Sequence, residues 1–290
     1  MAEINVVEKL IPTPRGRAPI YRLKPPAVNE KAIRSLARQL GMQGDAKSGA
    51  LTSDANKLTY SEGLLELTMY RASGGIRFID RERWQVDDRK ADLQIDDAAA
   101  SRLAQNFVNK LKLAPKAETK FLKAARLHVG EATREGEQTS DRIIDVAVAL
   151  QRLVGKIPVD GPGGKVVVYL DHEHRITGFE RIWRDVVRVH REGESFRTPQ
   201  SAVDDMAGHF ASKQGIIEVR EIRFGYFEEG WNTRQRYLQP AYVIFGMVVS
   251  SHGNVRKRTI YVAPALSNGI GPMTPPLEAK PKQRTRPTVQ

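Results

Sequence analysis

Apolar and polar positions along the chain follow two periods, and the order of those periods repeats three times. In VNEKAIRSLARQLGM, Ala32, Ile33, Leu36, Ala37 and Leu40 recur at helical spacing, with Asn29 placed to cap the start and Gly41 to close the end. Leu65, Leu67 and Met69 then alternate with polar residues before a Ser-Gly-Gly turn and a further strand, so the first pass predicts a helix followed by a meander. The second pass opens on DDAAASRLAQNFVNKLKL, where Asp96 or Asp97 caps a stripe of Ala99, Leu103, Phe107, Val108 and Leu111. FLKAARLHV, DVAVALQRL, GGKVVVYLD and RITGFERIWRDVVRV follow with the β-branched and apolar enrichment of strands. The third pass runs from TPQSAVDDMAGHFASK through IIEVREIRFGYFEEG, YLQPAYVIFGMVVS and RKRTIYVAP.

A helix followed by antiparallel strands closes its core by lying on one face of the sheet, which predicts the α+β class built from repeated helix-plus-sheet modules. The expected organisation is an arm over 1–19, modules over 20–94, 95–192 and 193–266, and a disordered basic tail over 267–290. The Pro- and Gly-rich tail holds too little apolar surface to offset its ordering entropy.

Composition narrows the function less than the pattern narrows the fold. A chain of 290 residues, 40% hydrophobic, can bury a sizeable core, and a net charge of +12 favours acidic partners, nucleic acid or anionic surfaces alike. The absence of cysteine excludes disulfides, thiolate nucleophiles and Cys-ligated metals. No apolar run approaches the roughly 18 residues of a membrane span, and MAEINVVEKLIPTPRGR lacks a signal peptide's apolar core. The expectation is a cytoplasmic protein as the chain stands, or an exported one from which a signal has been removed.

The segments IPVDGPGGKVVVYLD, ITGFERIWRDV and YLQPAYVIFG resemble the exported bacterial proteins built from PepSY-like and YycI-like modules, a likeness of pattern over roughly residues 20 to 265. The resemblance implies cystatin-like helix-on-sheet modules in tandem, with helices packed on curved sheets. It also implies proteins that regulate or restrain a partner, such as a peptidase or a sensor kinase, more often than they catalyse. The chain departs from that pattern in showing no signal peptide or membrane anchor.

Each motif that suggests chemistry has a plainer reading. GPGGK, Gly161 to Lys165, lacks a phosphate loop's spacing, having Val159 and Val166 where Gly and Ser or Thr are needed, and so predicts a turn between strands. Asp171, His172, Glu173 and His174 are the one acid-imidazole cluster, placed where a hairpin tip is expected, and no dedicated third metal ligand accompanies the two histidines. No nucleophile elbow surrounds a serine, and no motif calls for a cofactor or assigns a catalytic residue. Basic residues of the third pass are interleaved with acids and carry no nucleic-acid-binding signature, which argues against sequence-specific nucleic-acid binding.

The aromatic residues point elsewhere. Trp183 with Arg184 forms either a core anchor or an exposed ledge, and Trp231 lies in a loop with Arg234, Arg236 and Tyr237, a combination enriched at protein interfaces. The leading expectation is a non-enzymatic module that binds a protein partner through these residues, or through an edge strand that adds an extended peptide or forms a homodimer. The alternative is a small-molecule carrier or enzyme whose cavity between helix and sheet is lined by His128, Asp145, Tyr169 and His209.

Overall fold

The computed structural model describes residues 3–6, 14–84, 93–132, 138–210, 216–249, 256–271 and 273. Most of the tail expected over 267–290 therefore lies outside the described residues. In chain order the elements are β1 (Glu3–Val6), β2 (Ile20–Leu23), α1 (Glu30–Gln39), β3 (Ala50–Ser53), β4 (Lys57–Glu62), β5 (Leu65–Tyr70) and β6 (Ile76–Asp80). They continue with α2 (Asp97–Lys110), β7 (Thr119–Ala132), β8 (Gln138–Val154), β9 (Ile157–Asp160), β10 (Lys165–Asp171), β11 (Ile176–Ile182) and β12 (Val186–Arg191). The last are α3 (Pro199–His209), β13 (Ile216–Phe227), β14 (Tyr237–Val249) and β15 (Arg256–Pro264). The class is a mixture of α and β in which three helices accompany mostly antiparallel strands.

The chain folds as two compact units, one of residues 19–192 with 225–239, the other of 1–18, 193–224 and 240–290. In the larger unit the strands run β7-β8-β10-β11-β6-β5-β4-β3, each antiparallel to its neighbour. Both of its helices lie on one face of that sheet. Ile33, Leu36 and Ala37 of α1 and Ala100, Ala104 and Val108 of α2 enter one core with Tyr60, Leu67, Phe78, Val148, Val168 and Phe179. Asn29 caps α1 by accepting from the Ala32 amide at 2.9 Å, and Gly41 closes it at φ +85°. Asp96 caps α2 through the Ala99 amide, and its small residues Ala100 and Ala104 let the helix approach the strands closely.

The expected modules 20–94 and 95–192 thus share one core. The joint is the pairing of β6 with β11, where Phe78 faces Phe179, a long-range contact that local periodicity does not encode. The segment read as one strand through RITGFERIWRDVVRV breaks at Trp183 to Asp185 into β11 and β12. β12 pairs with β2, which also pairs with the start of β14.

In the smaller unit Ala202, Val203, Met206 and Phe210 pack on Ile217, Val219, Tyr242, Ile244 and Ala263. Thr198 caps α3 with Pro199 in its first turn. Within the expected arm, β1 runs parallel to β13, with Glu3 opposite Ile216 and Val6 opposite Val219.

Candidate functional site

The Lys24-Pro25-Pro26 segment leaves β2 towards α1 with a groove on either side of it, both within the larger unit. One groove of about 200 Å³ is lined by Pro25, Pro26, Arg181, Trp183, Arg184 and Asp185 among others. The other, of about 540 Å³, has Leu23, Pro25, Pro26 and Ala72 as its apolar wall and carries Arg22, Arg71, Arg234 and Arg236. The six residues singled out at Trp183, Arg184, Trp231, Arg234, Arg236 and Tyr237 therefore converge on one region, but in different roles.

Trp183 and Arg184 do not form an exposed ledge, because both are 3% exposed. The Trp183 ring packs in the helix-sheet core under the Arg152 guanidinium, whose Cζ lies 4.9 Å from the ring centroid. Arg184 turns its guanidinium onto the loop after β13, donating to the carbonyls of Glu229 at 2.7 Å, Gly230 at 2.9 Å and Thr233 at 2.8 Å. Its charge is met by Glu228, which is fully buried and also accepts from the Arg184 amide at 2.9 Å. Burial pushes the Glu228 carboxyl up and the Arg184 guanidinium down, and the contact between them opposes both shifts. Gln235 closes the same loop, accepting from the Glu229 amide at 2.9 Å and donating to the carbonyls of Phe227 and Tyr237.

The glycine-rich turn belongs to this scaffold. A Cβ on Gly161 would lie 2.6 Å from the Glu228 carbonyl oxygen, and one on Gly163 would lie 2.6 Å from that of Glu229. Lys165 donates its ammonium to the Gly161 carbonyl, so GPGGK is a packing turn with its own cation tied down. At the other end of β10, Asp171 accepts from the amides of Glu173 and Arg175 at 2.9 Å, which makes the Asp-His-Glu-His run a hairpin tip.

With the loop fixed, Trp231 packs at a tilt against Tyr70 at 4.6 Å between centroids and lies against Gly75, where a Cβ would meet the ring at 2.6 Å. Tyr237 is covered by Arg22, whose Cζ is 5.1 Å from its ring, and by His190 at 4.5 Å. The two tryptophan and tyrosine rings are thus half-buried supports, and the exposed functional groups of the loop are Arg234 and Arg236.

Neutral groups hold the other two arginines of the groove. Arg71 donates to the Asp54 carbonyl at 3.0 Å and to the Ser53 hydroxyl at 2.7 Å, while Arg22 rests on Tyr237. The Asp54 carboxylate, which feels the charge of Arg71, turns to the amides of Asn56 and Lys57, and these hold it below the usual carboxylate range. Among the described residues Arg22, Arg234 and Arg236 make no ion pair. Arg34, Arg77, Arg81, Arg126 and Arg175 each meet a carboxylate, whereas the exposed Arg102 and Arg188, like these three cleft arginines, make no ion pair among the described residues.

The residues expected to share a cavity fall in both units, His209 in the smaller and His128, Asp145 and Tyr169 in the larger. His209 ends α3 in the smaller unit, against Phe210 and Tyr261. In the larger unit Asp145 and Tyr169 lie on the adjacent strands β8 and β10, and His128 is on β7 opposite Ile143. Trp84 covers Tyr169 at 5.5 Å, and burial pushes the Tyr169 hydroxyl up to about 12. Desolvation raises the Asp145 carboxyl to about 7 against its bond from Thr177 at 3.1 Å, and its Oδ1 has no hydrogen-bond partner. β8 and β10 are adjacent strands of the larger unit, and α3 packs on β13 to β15 in the smaller.

Two of the free edges, β12 and β7, are irregular, whereas β3 and β15 pair regularly with their neighbours. β12 exposes Val187 and Val189, but its pairing with β2 shifts register twice, and β7 shifts three times against β8. Such bulges blunt an edge as a template for strand addition.

Sequence reasoning missed Arg22, Arg71, Pro25 and Pro26, which complete the cleft from two distant segments. The Pro-Pro step after a basic strand was the one local signal of a rigid, exposed wall; nothing local marked Arg71 as facing Arg234.

Fold and site together define a mixed α and β protein with a basic, proline-walled cleft. No family model matches the chain, and no curated protein matches it. Among solved structures it is similar to an uncharacterized protein from Eubacterium rectale, at 13% identity and a TM-score of 0.53, over 94% of this chain and 90% of that one. At that identity the likeness concerns the fold alone. Among the described residues no helix is long and apolar enough to cross a membrane.

Proposed function

We propose that the protein is a non-enzymatic interaction module that binds, and by binding restrains, a partner protein through the cleft beside Pro25 and Pro26. The observation that carries this reading is the set of arginines at its rim. Arg71 is held by the Asp54 carbonyl and the Ser53 hydroxyl and Arg22 rests on the Tyr237 ring, while Arg234 and Arg236 are exposed, and among the described residues Arg22, Arg234 and Arg236 make no ion pair. Gathering like charges costs free energy in the free protein, and an acidic surface would recover it on binding. The resemblance to PepSY-like and YycI-like proteins supports the same role, with each helix and its strands taken as a cystatin-like module.

The test is capture from nuclease-treated lysate of the source organism at about 0.15 M salt, where the Debye length is near 8 Å. Wild-type protein is compared with the Arg234→Glu/Arg236→Glu double variant, whose side chains are exposed and whose fold should be intact. A protein retained in stoichiometric amount by the wild type and lost from the variant is the expected result. Equal recovery by both, or a co-purifying small molecule with no protein, would contradict it.

A further inference from the structure

We infer that the element of the partner which enters the cleft is an acidic, extended segment of polypeptide, a deduction that rests on reading the cleft as a partner-binding surface. Three features of the groove converge on that chemistry. Its cations are arginines, whose planar forks pair with carboxylates through two parallel hydrogen bonds, and two of them are already oriented, Arg71 by Asp54 and Ser53 and Arg22 by Tyr237. Less rotamer entropy is then lost when an anion binds. The floor between them is Leu23, Pro25, Pro26 and Ala72, apolar and without ordered side-chain donors, which suits the aliphatic positions between acidic side chains. Finally, a groove of about 540 Å³ lined by residues of three separate segments is far larger than a compact ion fills and has room for several residues of chain.

The same geometry disfavours a single-stranded nucleic acid, the other polyanion that a basic groove attracts. Such ligands bind by stacking bases on aromatic faces. The rings near this cleft are engaged: Trp231 is packed against Tyr70 and backed by Gly75, and Tyr237 is covered by Arg22 and His190. A second copy of this chain is disfavoured too, because the exposed edge strand β12 places Arg188 opposite Arg22 beside the cleft, so a second basic copy approaching there would be repelled.

The experiment titrates the full chain with a fluorescein-labelled peptide of about twelve residues in which Asp and Glu alternate with Leu and Pro, read by anisotropy. Three controls run beside it: the same peptide with Asn and Gln for Asp and Glu, a single-stranded oligodeoxynucleotide of equal length, and the Arg234→Glu/Arg236→Glu variant checked by its melting curve. The expected result is saturable binding of the acidic peptide that weakens at least about tenfold in the variant, and that is absent for the amide peptide. Absence of binding to the wild type, or binding that the variant leaves unchanged, overturns the inference, as does tighter binding of the oligonucleotide that is lost in the same variant. If the peptide fails while the double variant still loses the captured protein, the acidic-segment inference alone falls; if the variant loses neither, the interaction reading falls with it.

Discussion

Arg184 donates to three backbone carbonyls of the loop that carries the exposed Arg234 and Arg236, and so works as a positioning residue. Its counterion Glu228 lies between it and Arg152, 3.2 and 3.7 Å away. Replacing Glu228 with Ala leaves two buried guanidiniums without that carboxylate and should destabilise the protein by about 3–5 kcal/mol, read as a lower urea midpoint. An unchanged midpoint would mean that the loop is not held as described. Asp145 offers an independent check through pH. Its folded-state value near 7 stands above its ordinary 3.8, because desolvation outweighs the Thr177 and Leu170 bonds and Asp171 adds to it. The folded protein therefore holds a proton that the unfolded chain releases, so this contribution to stability is complete below pH 4 and is lost as pH rises towards 7. Asp145→Asn should match the parent at pH 4 and exceed it by about 1–3 kcal/mol at pH 8; a variant with the parent's slope would count against the burial of this carboxyl. At this scale the sequence was partly legible. The loop aromatics and arginines were recognisable by type, but burial reverses the roles of Trp183 and Arg184, and whether a residue is buried depends on partners far along the chain.

The helices were the most legible elements, because caps and apolar spacing are local. Even there α2 is rotated by about one residue from the expected stripe, burying Ala100 and Ala104 in place of Ala99 and leaving Leu103 and Phe107 half-covered. Small residues are selected by close approach to the sheet, which helical periodicity alone does not specify. The turn between β9 and β10 was legible as a turn, while its need for glycine comes from the Glu228-Glu229 backbone that presses on it. Gly163→Ala places a methyl group against the Glu229 carbonyl and must push the loop outward. The expected outcome is a loss of about 1–3 kcal/mol in thermal or urea unfolding together with weaker partner binding. Full stability and full binding would show that the loop yields without consequence. Strand order was not legible: the β6-β11 pairing that unites two expected modules joins residues about a hundred positions apart, with Arg77 opposite Glu180.

For the molecule as a whole, a net charge of +12 named no partner, yet its distribution is informative. Arg81 and Arg175 meet carboxylates at 2.7 and 3.0 Å, while among the described residues Arg22, Arg234 and Arg236 of the cleft make no ion pair. The measurement that tests this account most directly is the affinity of the captured partner for the wild type and for Arg234→Glu/Arg236→Glu, followed from about 0.05 to 0.3 M salt. Wild-type affinity is expected to fall steeply with salt, and the double variant to bind at least about tenfold more weakly at the lower salt with an unaltered melting curve. Equal affinity of the two proteins, or binding indifferent to salt, would contradict it.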